Sequence, residues 1–198
     1  MFRSITPVVK NLLIINVLMF VVIMSIEGAG LPFAQYLPLH NYGTSAFKPF
    51  QLVTTMFTHY DPSHLFFNMI GLFFFGPMLE NRIGSKNTLI AYIAGGLFSA
   101  VIYLIFYTFI EYNGFSLLGA SGAIYTIVVM SAIHFTNQRV QLLIPPIPMK
   151  LGFMAAIFIT IDIIGFKVGA ATGIAYLAHL GGAAMGFMLY YYWEKLKR

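Results

Sequence analysis

The stretch GASGAIYTIVVMSAIHF, residues 119–135, opens on small residues and continues as an almost uninterrupted apolar run. Across the chain 59% of residues are hydrophobic and 9% are charged, whereas soluble domains contain roughly 25% charged residues. We therefore predict an integral membrane protein, although several of its apolar segments are shorter than the roughly 20 residues of a full span. The six predicted spans are residues 8–25, 63–79, 88–109, 120–135, 151–164 and 172–193.

The predicted fold class is all-α, a compact bundle of six transmembrane helices. Residues 1–198 contain no repeat, Ser/Pro-rich linker or acidic tail, so we expect a single domain. The net charge of +5 does not indicate nucleic-acid binding, because the basic residues are scattered between the apolar segments. The chain has no cysteine, which excludes disulfides, thiolate catalysis and cysteine-ligated metals.

The basic residues concentrate in alternate loops, as expected when lysine and arginine near span ends stay in the cytoplasm. Only Lys48 and Lys167 fall on the opposite side. Both termini are therefore predicted to be cytoplasmic. In this orientation the second, fourth and sixth spans begin at the outer face.

Those three spans carry polar residues, which are costly inside a membrane and usually line a cavity or perform chemistry. The second span has His64 and Asn68, four residues apart and so on one helix face. The fourth span opens at Ser121, and the sixth contains His179. At a rise of about 1.5 Å per residue, His64, Ser121 and His179 each lie about 24 to 27 Å from the first cytoplasmic cation of their span. We therefore expect them to share one level, just inside the outer leaflet.

A serine and a histidine at one depth predict a hydrolase. The hydroxyl of Ser121 needs a base, and a neutral His179 would accept its proton. The acidic residues lie in loops or near span ends, and Asp162 has no evident partner, so we expect a dyad without the usual acid. At the first turn of a helix, Ser121 also offers free backbone N–H groups to an oxyanion, and His64 with Asn68 would add side-chain donors.

Each of these features also has a plainer interpretation. The Gly-Ala-Ser-Gly cluster suits close helix packing, as does the small-residue stripe of Ala178, Gly182 and Gly186. His64 and Asn68 could simply tie two spans together. The joint occurrence of the three features at one depth favours the catalytic interpretation.

No metal or cofactor is predicted. The H-E-x-x-H motif of zinc proteases is absent, and an aspartyl mechanism needs two carboxylates at one site. A zinc site from His59, His64 and His179 would lack both a fixed ligand geometry and a general-base carboxylate.

Three motifs are similar to those of the rhomboid family of intramembrane serine proteases: H-x-x-x-N at residues 64–68, G-x-S-G at 119–122 and A-H-x-x-G at 178–182. The resemblance covers the second to the sixth span and implies a rhomboid-like bundle of the bacterial six-helix form. For that form the expected location is a bacterial inner membrane. By this resemblance Ser121 is the nucleophile and His179 the base, and His64 with Asn68 stabilises the oxyanion.

The resemblance implies supporting roles as well. Tyr125, one helical turn after the serine, falls where the family places an aromatic ring against the catalytic histidine. Gly119, Gly122 and Gly182 belong to the same motifs and would support the site.

Three other positions bear on the loop and on the cytoplasmic end of the second span. The pattern G-x-x-x-E-x-x-x-G at residues 76–84 is a family signature that we interpret as structural. His59 is expected to anchor the loop before the second span. Where the family often has a Trp-Arg pair this chain has Phe50 and Gln51, so the family's anchoring of this loop does not carry over.

The family cleaves transmembrane segments of other membrane proteins near the extracytoplasmic side. The expected partners are therefore substrate transmembrane helices and the lipid bilayer. A substrate helix must unwind locally to expose a peptide bond, and the fifth predicted span, with Phe153, Phe158 and Gly165, is the candidate lateral gate.

Two other functions compete with proteolysis. A rhomboid-like protein that binds without cutting would be expected to lack the serine or the histidine. A small transporter using His64, Asn68 and His179 as a polar relay would carry polar residues on towards the cytoplasmic side, where these spans are almost wholly apolar.

Overall fold

The computed structural model describes residues 5–31, 34–109, 116–141, 146–168 and 176–196. Within these ranges the protein is a bundle of helices. The helices are α1 (Pro7–Gly28), α2 (Gln51–Thr54), α3 (Pro62–Ile83), α4 (Ser85–Phe109), α5 (Ser121–His134), α6 (Leu151–Val168) and α7 (Tyr176–Tyr191).

Shorter elements complete the described chain. Two 3₁₀ turns, Ala34–Tyr36 and Thr55–Phe57, lie between α1 and α3, and a π-helical turn, Tyr192–Leu196, extends α7. Between α5 and α6, strand β1 (Arg139–Gln141) pairs antiparallel with strand β2 (Pro148–Lys150). This pair was not predicted, because three residues per strand are too few to show an alternating pattern.

The prediction of an all-α membrane protein is confirmed. Within the described ranges, α1, α3, α4 and α6 are each long and apolar enough to cross a membrane, and α5 is a shorter apolar helix. The predicted sixth span corresponds to α7, although its predicted start, residues 172–175, lies outside the described residues.

Helix α5 lies at the centre of the bundle. It packs against α3, α4, α6 and α7, and nearly all of its residues from Gly122 to Ala132 are buried. A helix that is apolar on every face is suited to such a position. Its 14 residues extend only about 21 Å, less than the roughly 30 Å of the hydrocarbon core. At least one end of α5 must therefore lie within the membrane.

Glycines set the distance between α5 and α7. A Cβ on Gly182 would clash with the carbonyl oxygen of Gly122, so the two backbones are in direct contact. The hydroxyl of Thr126 donates a buried hydrogen bond of 2.7 Å to the carbonyl of Gly182. The Gly-Ala-Ser-Gly cluster at the start of the fourth predicted span is therefore in contact with the small-residue stripe of α7.

Glu80 joins α3 to the beginning of α1. Its two carboxylate oxygens accept hydrogen bonds from the backbone N–H groups of Val8 and Val9, each at 3.0 Å. These N–H groups have no partner inside their own helix, and a carboxylate also suits the positive end of the helix dipole. A Cβ on Gly76 would lie 2.6 Å from Val9 Cγ2, so this glycine lets α1 approach. The structural interpretation of residues 76–84 holds, with a helix N-terminus as the group that Glu80 satisfies.

Gln51 organises the loop between α1 and α3. Its side chain is completely buried. Its amide oxygen accepts from the backbone N–H groups of His40 and Lys48, and its amide nitrogen donates to the carbonyls of Tyr36 and Ala46. One neutral amide thus holds four points of the loop backbone.

Candidate active site

Ser121 is the first residue of α5, and the backbone before it has an unusual conformation. Gly119 has φ of +111°, a region that side chains other than glycine rarely adopt. Its N–H donates to the carbonyl of Thr55 at 2.9 Å, and a Cβ there would lie 2.6 Å from Nε2 of His64. Glycine is needed at this position for both reasons, and Ser121 is consequently placed beside α3 and the loop that precedes it.

His179 on α7 contacts Ser121 directly. Its Nε2 lies 2.9 Å from Oγ of Ser121. The phenol ring of Tyr125 stacks on the imidazole, with ring centroids 4.6 Å apart and planes inclined by 12°. The stacked ring leaves the imidazole little freedom to rotate away from the hydroxyl. The structure therefore brings together the serine, histidine and tyrosine that the motifs singled out.

The structure corrects one prediction about this group. The expected dyad had no acid to orient the imidazole, but Oδ1 of Asp162 lies 3.1 Å from Nδ1 of His179. Asp162 belongs to α6 and is only 3% exposed. The carboxylate and Ser121 therefore contact opposite nitrogens of one imidazole ring, in the order serine, histidine, aspartate.

A signal for Asp162 was present in the sequence. Counted from Lys150, the carboxylate lies roughly 18 Å into its span, about one helical turn below the level estimated for His179. A side chain and a modest helix tilt can bridge that difference. The direction in which α6 presents Asp162 was not readable, because this helix is apolar around almost its whole circumference.

His64 and Asn68 lie beside the segment that leads to Ser121. Asp61 caps α3 by accepting from the N–H of His64 at 2.8 Å, and this fixes the first turn of the helix. The N–H of Tyr60 approaches Nδ1 of His64 at 3.4 Å, so in the neutral ring the proton resides on Nε2, the nitrogen that faces Gly119. Nδ2 of Asn68 donates to the carbonyl of His64 and has a second N–H to offer. Two side-chain donors thus stand near Gly119.

His59 anchors the same segment from the other side. Its Nε2 accepts a hydrogen bond from the N–H of Ala120 at 3.4 Å, and the residue is 2% exposed. Burial, followed by repulsion from His64, lowers the pKa of His59 from 6.5 to about 3. His59 is therefore neutral at physiological pH, as its acceptor role requires, and its predicted role as an anchor is confirmed.

A small cavity adjoins the serine. It is lined by residues that include Ser99, Ser121 and Ala178. The hydroxyl of Ser99 is buried and has no hydrogen-bond partner among the described residues. A buried polar group beside a cavity suits an ordered water molecule.

The fold and the site define a polytopic helical membrane protein in which a serine and a histidine from two helices are in contact. The chain belongs to the rhomboid family, because the family model described as Rhomboid domain matches residues 46–195. The resemblance inferred from the three motifs is thereby confirmed.

Individual relatives agree with this assignment. The chain is 31% identical to RHOMBOID-like protein 12, mitochondrial, of Arabidopsis thaliana, over 74% of this chain and 46% of that protein. It is 30% identical to Presenilin-associated rhomboid-like protein A, mitochondrial, of Danio rerio, over 68% and 35%. It is 26% identical to Putative rhomboid protease YdcA of Bacillus subtilis, over 76% and 70%.

The relatives also bear on size and location. The chain spans less than half the length of the two mitochondrial proteins. An integral membrane location follows from the fold. The predicted bacterial inner membrane is not supported, because mitochondrial proteins are among the relatives.

Proposed function

We propose that this protein is an intramembrane serine endopeptidase that cleaves transmembrane segments of other membrane proteins. The observation that carries the proposal is the 2.9 Å distance between Oγ of Ser121 and Nε2 of His179. A nucleophile and a base within hydrogen-bond distance are the minimum requirement of covalent acyl transfer. Membership of a family of intramembrane proteases supports the same reaction.

In the first half of the reaction, Oγ of Ser121 attacks the carbonyl carbon of the scissile peptide bond. The hydroxyl proton passes to Nε2 of His179, and the carbonyl oxygen becomes an oxyanion. When the tetrahedral intermediate collapses, His179 gives this proton to the departing amine nitrogen. The amine fragment leaves, and the remaining fragment stays on Ser121 as an ester.

In the second half of the reaction, water attacks the ester carbon and His179 accepts one of its protons. Collapse of the second intermediate returns that proton to Oγ of Ser121 and releases a carboxylic acid. The cavity that Ser99 and Ser121 line is where we expect this water to wait.

The oxyanion is stabilised by donors on two helices. The backbone N–H of Ser121 lies in the first turn of α5, where it has no partner within the helix. Nε2 of His64 and Nδ2 of Asn68 supply side-chain donors from α3. The donors on α5 and on α3 stay close together because three positions around them are glycines. A side chain on Gly119, Gly122 or Gly182 would meet a neighbouring group.

The substrate is a membrane helix that unwinds near the site. Its peptide bonds are shielded by internal hydrogen bonds, so residues of low helix propensity near the cut favour cleavage. Entry between helices through the lipid-facing side is consistent with the exposed Phe153 on α6, the proposed lateral gate. The charge pattern places both termini on the side that retains positive charge, which is the cytoplasm in a bacterial inner membrane. The site then opens towards the opposite face.

Labelling of the detergent-solubilised full chain with a fluorophosphonate tests the proposal. We expect the wild-type protein to be labelled, and Ser121→Ala and His179→Ala to remain unlabelled. Ser131→Ala is the matched control, since Ser131 is on the same helix and its hydroxyl donates to the carbonyl of Phe75. Equal labelling of Ser121→Ala and the wild type would sink the proposal.

Cleavage must be tested separately, because a binding protein could retain a reactive serine. The full chain is reconstituted in lipid vesicles with a fluorogenic transmembrane peptide that carries glycine near its outer end. We expect cleavage by the wild type and none by Ser121→Ala. A labelled protein that cleaves no such peptide would favour the binding function over proteolysis.

A further inference from the structure

Asp162 is a charged residue in a position where its ionised form is costly. It lies in the membrane helix α6, whose sequence around it is Ile161, Ile163 and Ile164, and it is 3% exposed. Buried carboxylates in membrane helices are rare, and most of them serve a function. An apolar residue at this position would carry no cost of desolvation. The charge therefore needs an explanation other than packing.

The surroundings of the carboxylate supply that explanation. Oδ1 lies 3.1 Å from Nδ1 of His179, and Oδ2 has no hydrogen-bond partner among the described residues. The side chain of His179 is 15% exposed, so the contact is largely screened from water. The carboxylate is thus bonded to the imidazole that contacts Ser121, and the side chain of Tyr125 also interacts with it.

We propose that Asp162 is a positioning residue for His179, an inference that rests on the proposed function. Its carboxylate accepts a hydrogen bond from Nδ1–H of His179. This holds the imidazole in the tautomer whose unprotonated Nε2 faces Ser121. When Nε2 takes the serine proton, the carboxylate of Asp162 stabilises the imidazolium that forms. The site works as a serine, histidine and aspartate triad whose members come from α5, α7 and α6.

Within the described ranges, no other group around the imidazole can take this role. From α5 the ring meets Ser121 and Tyr125, and from α3 it interacts at longer range with His64. Among the described residues, Asp162 is the one carboxylate in contact with the ring. Tyr125 restrains the plane of the ring by stacking, but a stacked phenol cannot select which nitrogen carries the proton.

The position of Asp162 on α6 also constrains the proposed lateral gate. Three residues after Asp162 on α6, a Cβ on Gly165 would lie 2.5 Å from the ring of Tyr176, so α6 and α7 are closely packed there as well. Because the carboxylate must touch His179 during proton transfer, α6 has to remain docked on α7 at the level of Asp162 during the chemistry. Any opening of α6 must precede or follow the chemical step.

The test is a comparison of kcat and KM in vesicles containing the full chain and the fluorogenic transmembrane peptide. We expect Asp162→Asn to lower kcat by about 100-fold or more, the size of a typical general-base contribution, with KM nearly unchanged. Asp162→Glu should recover part of the lost kcat. Thr160→Val is the matched control, because Thr160 is an exposed residue of α6 whose hydroxyl bonds within its own helix. A purely structural role would alter KM and thermal stability and would not be rescued selectively by a carboxylate.

Asp162→Leu keeps the proposal testable if the asparagine variant does not fold. Leucine has the same number and branching of side-chain heavy atoms as aspartate and carries no cost of burying a charge, so we expect a folded protein with the same loss of kcat. Wild-type kcat in either folded variant would overturn the role of Asp162. A wild type that cleaves no better than Ser121→Ala would instead contradict the proposed function. That outcome differs from wild-type kcat in an Asp162 variant, which would contradict only the role of Asp162.

Discussion

The carbonyl oxygen of Gly122 in α5 occupies the space where a side chain on Gly182 of α7 would begin. This contact lies one residue after Ser121 and three residues after His179 in their helices. Backbone contact at this point leaves no soft side chain to absorb a change. The separation of the nucleophile and the base is therefore set by the missing Cβ of Gly182.

Gly182→Ala should damage both stability and activity. The added methyl group would push α5 and α7 apart, and overpacking of this kind costs about 1–3 kcal/mol. A displacement of roughly 1 Å at a catalytic pair can lower the rate about 100-fold. Thermal unfolding in detergent and peptide cleavage in vesicles measure the two effects.

Gly186→Ala is the graded control for this prediction. A Cβ there would lie 3.0 Å from the carbonyl oxygen of Thr126, a contact that a small shift relieves. We expect a milder loss than for Gly182→Ala. Equal losses in the two variants would show that the backbone contact at Gly182 does not set the distance between Ser121 and His179.

Tyr125→Ala should lower kcat more than it lowers stability. The stacked phenol fixes the plane of the His179 imidazole, and aromatic pairs of this kind contribute about 0.5–1.5 kcal/mol beyond area burial. Loss of that restraint should reduce kcat by about tenfold. Tyr125→Phe keeps the ring, so wild-type kinetics in the phenylalanine variant would show that stacking is what matters. A Phe variant as impaired as Ala would assign the role to the hydroxyl instead.

Asn68→Ala should reduce kcat by removing a donor to the oxyanion. Loss of one such donor typically lowers kcat by about 10² to 10³-fold, and KM should change little because the oxyanion forms only in the transition state. The matched control is Asn81→Ala. Asn81 is on the same helix and donates to the carbonyl four residues back at 2.7 Å, as Asn68 does at 2.9 Å. Equal effects of the two substitutions would mean that only this local bond was lost.

The level of the polar groups could be predicted because helix rise is constant. Counting residues from the cytoplasmic cations placed His64, Ser121 and His179 at one depth, and the structure has the last two in contact at 2.9 Å. The small-residue stripe predicted a close backbone approach because residues spaced four apart lie on one helix face.

What could not be predicted depends on rotation of a helix and on the path of a loop. Helix α6 is apolar on nearly all sides, so no hydrophobic face revealed that Asp162 points towards α7. Gln51 bonds to the backbone groups of four loop residues. These groups are the same whatever side chains the residues carry, so the sequence does not show which residues Gln51 contacts. Both features arise from tertiary structure rather than from a local pattern.

His59→Gln should make the protein less sensitive to mild acid. The pKa of His59 is lowered from 6.5 to about 3 by burial and by His64, so the folded protein keeps this residue neutral while the unfolded chain protonates it below about 6.5. The unfolded state then binds more protons, and stability falls as pH drops from 6.5 towards 3. The slope from this one group approaches about 1.4 kcal/mol per pH unit. Glutamine can still accept from the N–H of Ala120 but does not titrate.

The measurement is the thermal unfolding temperature of both proteins in detergent at pH 7 and pH 5. This window lies above the ordinary range of carboxylate titration, so acidic groups contribute little, and the other histidines are common to both proteins. We expect the wild type to lose more stability than His59→Gln between the two pH values, because the wild type must also keep the buried imidazole of His59 unprotonated. Parallel losses in the two proteins would show that His59 is not the buried neutral acceptor that anchors the segment before Ser121.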